Sequence, residues 1–310
     1  MKKKILVFGS FVVDLMARTP HLPVPGETVK GSMFKMGAGG KGFNQCVAAH
    51  KAGADVTMVT KLGQDAFAEV ALGTMRELGM DMSRILYSET EPTGSALIMV
   101  DEITSQNEIV VVLGSCNTIT DQEVDSLRDI LLECDYVLTQ LETNVSAIER
   151  LVQLANETNT KVILNTAPVQ PVSDEVLSNV ELITPNEVEA EILSGIVIDS
   201  KENADKAADW FFEKGVKNVL ITLGGRGVYI ATDEKRGIIP AYKVNAVDTT
   251  GAGDAFNGGL IAALAEGKDL WEAAHFANAL AALSVQKLGT TPSMPTREEI
   301  DSFMEIHTKP

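Results

Sequence analysis

An acidic side chain beside a glycine-rich turn, placed ahead of an apolar helix, can move a proton and hold an anion at one point in space. The run Asp248-Thr249-Thr250-Gly251-Ala252-Gly253-Asp254-Ala255-Phe256 has this form, and the apolar helical pattern that follows it ends near Glu266. Successive amides of Gly251, Ala252 and Gly253 can point into one concavity, where a helix N-terminus adds about half a positive charge. Asp254 does not suit a site built only for an anion, because a carboxylate repels phosphate. Two readings account for it: an ordinary helix N-cap, or a base that accepts a proton from an attacking hydroxyl while the amides hold a transferring phosphoryl group. Spacing alone leaves both open.

A second glycine-rich segment, Gly37-Ala38-Gly39-Gly40-Lys41-Gly42, satisfies the pattern G-x-G-x-x-G. A dinucleotide site would place that pattern directly after the first parallel strand, with an acidic residue about twenty positions on. Here Met33 to Met36 precede it in an extended segment of another kind, and no acidic residue stands about twenty positions on at a second strand's end. The segment reads better as a loop that brings main chain close to a ligand and feeds a helix starting near Phe43, with Lys41 and Asn44 as polar groups. The plain alternative is a turn that serves packing.

The elements that must position these groups alternate. Strand-like runs occupy Lys4 to Phe8, Asp55 to Leu62, Tyr136 to Gln140, Lys161 to Asn165, Leu182 to Thr184 and Asn218 to Leu223. Segments with 3.6-residue spacing lie between them: Phe43 to Ala52, Phe67 to Leu78, Asp121 to Glu133, Val145 to Glu157, Val188 to Ser194 and Asn203 to Lys214. This order predicts an α/β fold, a doubly wound and mostly parallel sheet with helices on both faces. Pro20 to Met36 and Glu91 to Leu113 break the alternation. They predict a small antiparallel β lid, inserted from about 15–36 and 91–113 into a single domain spanning 1–310, with a hairpin turn over Asp101 to Asn107.

The chain has 310 residues, of which 45% are hydrophobic, enough for a full-sized core. Lysine and arginine number 26 against 43 acidic residues, a net charge of −17, which excludes a nucleic-acid or anionic-membrane partner held by excess positive charge. The start, Lys2-Lys3-Lys4 and then Ile5 to Phe8, imitates a secretory signal, but Gly9, Ser10 and Asp14 cut the apolar run short, as in a buried first strand with a solvated basic start. No run approaches the ~20 apolar residues of a membrane helix. Cys46, Cys116 and Cys134 are odd in number and widely spaced, which suits buried free thiols in a soluble cytoplasmic protein.

Over nearly its whole length the chain resembles the ribokinase family of sugar and nucleoside kinases. Gly39-Gly40-Lys41-Gly42-Phe43-Asn44-Gln45 and Asp248 to Phe256 carry the resemblance, in the family's order and separation. Pro25-Gly26-Glu27-Thr28, Gln140-Leu141-Glu142, Thr184 to Glu189, Thr222-Leu223-Gly224-Gly225-Arg226-Gly227 and Gly289 to Ser293 support it. The resemblance implies transfer of the ATP γ-phosphoryl group to the terminal hydroxyl of a pentose, D-ribose being the first expected acceptor. Asp254 would be the catalytic base, and the amides of Gly251, Ala252 and Gly253 the anion hole. Asp14, Gly40, Lys41, Asn44 and Glu142 would grip the sugar.

On the nucleotide side the resemblance implies Asn186, Thr222, Gly224, Gly225, Gly227 and Asn278. Asn186 and Glu189 stand one helical turn apart: taken alone they are a helix cap and a solvating acid, whereas the family uses the pair to organise Mg²⁺ and phosphates through water. A monovalent cation, K⁺, is implied at Asp248, Thr250, Ser284, Lys287, Gly289 and Ser293, where Lys287 and Gly289 can offer only backbone carbonyls. Lid strands of relatives often pair two subunits, so a homodimer is expected. One departure stands out: Val12 takes the place of an asparagine two residues before the sugar-binding aspartate, which would favour a sugar lacking one hydroxyl, such as 2-deoxyribose. A nucleoside kinase and a catalytically idle sugar or nucleotide sensor are the rival readings.

Overall fold

The apolar runs become strands and the 3.6-period segments helices in the computed structural model, which describes residues 3–104 and 106–308. In chain order the strands are β1 (Lys4–Phe8), β2 (Val12–Thr19), β3 (Met33–Gly39), β4 (Asp55–Val59), β5 (Lys61–Leu62), β6 (Leu86–Tyr87) and β7 (Thr93–Asp101). They continue as β8 (Asn107–Gly114), β9 (Cys134–Gln140), β10 (Lys161–Asn165), β11 (Leu182–Ile183), β12 (Asn218–Thr222), β13 (Val228–Ala231) and β14 (Arg236–Ile239).

The large sheet runs β14-β13-β12-β11-β10-β9-β1-β4. Every pairing from β12 to β4 is parallel, and β13 and β14 add an antiparallel edge. The six expected strands supply the six parallel ones. The run Asp55 to Leu62 breaks at Thr60, so that β4 joins the large sheet while β5 pairs with β6. Because successive side chains of a strand point to opposite faces, each strand feeds two cores. Ile5 and Val7 of β1 pack with Phe43, Leu260 and Leu280 from the helices Lys41–Lys51, Ala252–Ala265 and Leu270–Ser284. Leu6 and Phe8 face Ile148, Leu151 and Phe211 from the helices Val145–Glu157 and Lys201–Glu213. Both faces are therefore covered, as the doubly wound arrangement requires.

The helical pattern over Asp121 to Glu133 resolves into two short helices, Asp121–Asp125 and Arg128–Leu131, the first closed by a Thr120–Glu123 capping box. The smaller sheet runs β3-β2-β7-β8. Its outer pairs are antiparallel hairpins, as expected, and a parallel β2–β7 pairing joins them. The first of its strands begins earlier than the expected lid segment, at Val12, and Pro20 to Ser32 is the connection between β2 and β3. The turn over Asp101 to Asn107 includes Ser105, which lies outside the described residues, as do Met1 and Lys2 of the basic start. Lys4–Phe8 is an interior strand of the large sheet. No helix among the described residues is long and apolar enough to cross a membrane. The three cysteines are free and buried, and burial pushes their thiols up, Cys134 to about 12.

Candidate active site

Two helix N-termini meet above the carboxyl ends of the parallel strands, the position where open α/β sheets bind ligands. The helix Lys41–Lys51 starts after Gly40, whose φ of 91° is left-handed and whose missing Cβ would stand 2.9 Å from the Val12 nitrogen. The helix Ala252–Ala265 starts after Gly251, also left-handed with φ 75°. The two helices lie so close that a Cβ on Gly258 would fall 2.5 Å from the Gln45 carbonyl. That approach brings Asn44 and Gln45 of one helix onto Asp254 of the other.

Asp254 is 7% exposed and does not cap its helix, which disposes of the N-cap reading. Its Oδ2 accepts from Asn44 Nδ2 and its Oδ1 from Gln45 Nε2, both at 3.0 Å. Burial raises the Asp254 carboxyl above the usual carboxylate range, opposed by Lys41 and by the two amide donors. Burial alone would lower Lys41, but the carboxylates of Asp254, Glu142 and Glu189 outweigh it and hold the ammonium above its ordinary value. Burial, with Glu142 and Asp254 nearby, pushes Asp14 up to about 6. Glu142 is raised by burial too, offset in part by Lys41, by Ser10 Oγ donating at 2.5 Å and by the Lys41 amide donating at 2.8 Å.

A polar cavity of about 190 Å³ opens beside Asp254, lined in part by Lys41, Asn186, Glu189, Thr222, Gly251 and Gly253. The Ala252 amide already donates to the Thr249 carbonyl at 3.2 Å. Of the three amides expected to seat an anion, that of Ala252 is engaged in this bond, and Gly251, Ala252 and Gly253 all line the cavity. Asn186 caps the helix Glu187–Ser194 and forms a capping box with Glu189, so the cap half of the plain reading holds; Glu189 is buried and not a solvating acid, and both residues line the cavity. Thr222 bridges to Asn186 at the end of β12. Gly224, Gly225, Gly227 and Asn278 stand outside the cavity lining, and Asn278 donates to the Pro240 carbonyl at 3.4 Å.

Of the residues expected to hold a monovalent cation, Asp248, Thr250 and Gly289 meet at one loop junction. Asp248 Oδ1 accepts from the Thr250 amide and Oδ2 from the Gly289 amide, each at 2.9 Å, while the Asp248 amide donates to Val285. Ser284 and Ser293 hydroxyls donate to the Ala281 and Thr290 carbonyls, leaving oxygen lone pairs free. The Lys287 ammonium pairs with Glu299, so only its carbonyl can serve the loop. No cluster of three or more His, Cys, Asp or Glu side chains suited to a metal occurs among the described residues.

Gln45, Asn165, Thr184 and Ser10 carry much of the site's polar order and were given no role by the sequence. Gln45 stood next to Asn44 in the same motif, but its burial depends on a helix more than two hundred residues away in the chain.

The profile described as pfkB family carbohydrate kinase matches residues 2–297. The chain is 41% identical to ribokinase of Haemophilus influenzae over 305 residues, 98% of this chain and 99% of that one. It is 32% identical to deoxyribokinase of Salmonella typhi over 304 residues, again 98% and 99%. The structure of Arabidopsis thaliana ribokinase complexed with ribose and ATP superposes with a TM-score of 0.91 at 29% identity, covering 98% of this chain and 99% of that one.

Proposed function

The chain belongs to the pfkB family of carbohydrate kinases, and from that membership we propose that it is a cytoplasmic enzyme transferring the γ-phosphoryl group of ATP to the terminal hydroxyl of D-ribose. Asp254 takes the hydroxyl proton, the sugar oxygen bonds to the γ-phosphorus, and the bond from that phosphorus to the β,γ-bridging oxygen breaks, its electron pair leaving with ADP. The Gly251 and Gly253 amides face the charge that gathers on the transferring group. Asp14, Gly40, Lys41, Asn44 and Glu142 hold the sugar; Asn186, Thr222, Gly224, Gly225, Gly227 and Asn278 serve the nucleotide. The observation that carries this reading is a buried carboxylate, held by two amide donors, beside a cavity with free main-chain N–H groups at one wall. A pure sensor gains nothing from an acid facing phosphate.

The cavity's donor set fits Mg²⁺ held through water by Glu189 and Asn186, and such an ion neutralises phosphate charge when bound. The all-oxygen set at Asp248, Thr250, Ser284, Lys287, Gly289 and Ser293 fits K⁺, whose part would be to steady the loop carrying Gly251. The smaller sheet is read as the lid, and as the contact of a homodimer.

Val12 supports a second acceptor, 2-deoxyribose. It is 3% exposed, apolar, and two residues from Asp14 on the same strand, so their side chains share a face. Initial rates of ADP release with ribose, 2-deoxyribose, fructose and adenosine, in K⁺ and in tetramethylammonium, test these readings. We expect ribose first, 2-deoxyribose second and a loss of rate without K⁺. A preference for adenosine, or no release with any acceptor, contradicts the reading, and indifference to K⁺ removes the cation site.

A further inference from the structure

A chain of buried amides runs from the end of β9 to the base. Ionised Asp254 can only accept, so the Gln45 group that meets its Oδ1 is the NH₂. The same Nε2 also reaches Asn165 Oδ1 at 3.0 Å, and that oxygen is free to accept because Asn165 Nδ2 donates to the Thr184 carbonyl at 2.9 Å. Gln45 Oε1 must then find its donor on the other side, and it does in Gln140 Nε2 at 2.7 Å. Gln140 Oε1 is left buried with no partner among the described residues. Such an orphan acceptor is unfavourable. Gly9 leaves the space for it, since a Cβ there would collide with Gln140 Oε1 and stand 2.8 Å from Gly42 Cα. The charge on Asp254 thus dictates the orientation of each amide in turn, and the fold tolerates an unpaired oxygen to keep the last donor aimed.

We propose that Gln45, steered by Gln140, is a positioning residue that aims the Asp254 carboxylate at the sugar hydroxyl and keeps it charged. Gln45 is fully buried and absent from the cavity wall, so it acts through the base. The proposal rests on the reading of Asp254 as that base. Asn44 plays a different part: it is turned by Thr291 Oγ1, which donates to its Oδ1 at 3.1 Å. The charged groups facing Asp254 are Lys41 from the head of the neighbouring helix, Asp14 from β2 and Glu142 beyond β9, with Glu189 acting on Lys41. Lys41 favours the ionised form and the two carboxylates oppose it. Removing the Gln45 donor leaves this balance to Lys41 and Asn44 alone.

The test is kcat at saturating ATP and D-ribose across about pH 5 to 9 for the wild type, Gln45→Met and Gln45→Glu, with Asp254→Asn in parallel. Gln45→Met should lower kcat by about tenfold or more, change either KM by no more than about twofold, and move the acidic limb up by about one pH unit. Gln45→Glu keeps the side-chain shape, sets a second carboxyl against the base and should move the limb the same way, so it decides the matter if the Met variant fails to fold. An unmoved limb in the folded variants, whatever the loss of rate, reduces Gln45 to packing and overturns the proposal. Should Asp254→Asn turn over like the wild type, the base assignment falls first and this inference with it; an inactive Asp254→Asn beside an unmoved limb rejects the inference alone.

Discussion

Asp254, Glu142 and Glu189 surround one half-buried ammonium, Lys41, and Asp14 stands beside Glu142 and Asp254, a crowding with a measurable consequence for stability. Asp14 titrates near 3.8 when solvated and at about 6 in the fold, raised by burial and then by its two acidic neighbours. Between those values the folded chain holds a proton that the unfolded chain has released. The stabilisation is therefore complete below about pH 4 and is lost as pH rises through about 6. Asp14→Asn, which cannot ionise, should be roughly 1–3 kcal/mol more stable than the wild type at pH 7 to 8, with a flatter dependence between pH 4 and 6, while losing sugar affinity. Denaturant unfolding at the two pH values checks this; an Asn variant less stable at pH 8 would mean that the charge at position 14 is compensated. At this scale Asp254, Asp14, Lys41, Asn44 and Glu142 were legible, because each stands in a short run whose residue types suit proton transfer or hydroxyl binding. Gln45 and Gln140 were not, since a glutamine in an apolar helix or at a strand end gains meaning only from the partner that folding supplies. The Ala252 amide was credited with a free proton that the Thr249 carbonyl takes.

At the scale of elements, the parallel strands were plain as continuous apolar runs, whereas β13 and β14, four residues each, are too short to stand out. Leu270–Ser284 showed no face because it is buried on most sides. The smaller sheet was legible as extended segments, but its central parallel pairing was not, since nothing in two separate hairpins says which strands will meet. Its outer strand β8 leaves Ile109, Val110, Val111 and Val112 exposed, with Phe34 of β3 and Leu97 of β7 exposed too. An exposed apolar edge of this length invites pairing with another chain. Sedimentation should show a dimer for the wild type and a monomer for Val110→Glu with an unchanged unfolding midpoint; a monomeric wild type would remove the lid-mediated dimer.

For the whole molecule, a net charge of −17 sets the terms on which a polyanion can bind. The general field opposes ATP, so attraction must come from oriented main-chain N–H groups, a helix terminus and Lys41, all gathered at the carboxyl ends of the parallel strands. That concentration also explains how so much of the site could be read in advance: local runs make the amides and the base, and the sheet topology has only to bring two helix N-termini together. What the runs could not give is the polar order behind them, which spans β9, β10 and two helices. The proposed phosphoryl transfer depends on Asp254. The direct measurement is the initial rate of ADP release from ATP and D-ribose by Asp254→Asn, with ATP affinity followed in the same preparation. We predict a fall in turnover of roughly 10² to 10⁴ with ATP binding near that of the wild type; turnover equal to the wild type's would contradict the mechanism.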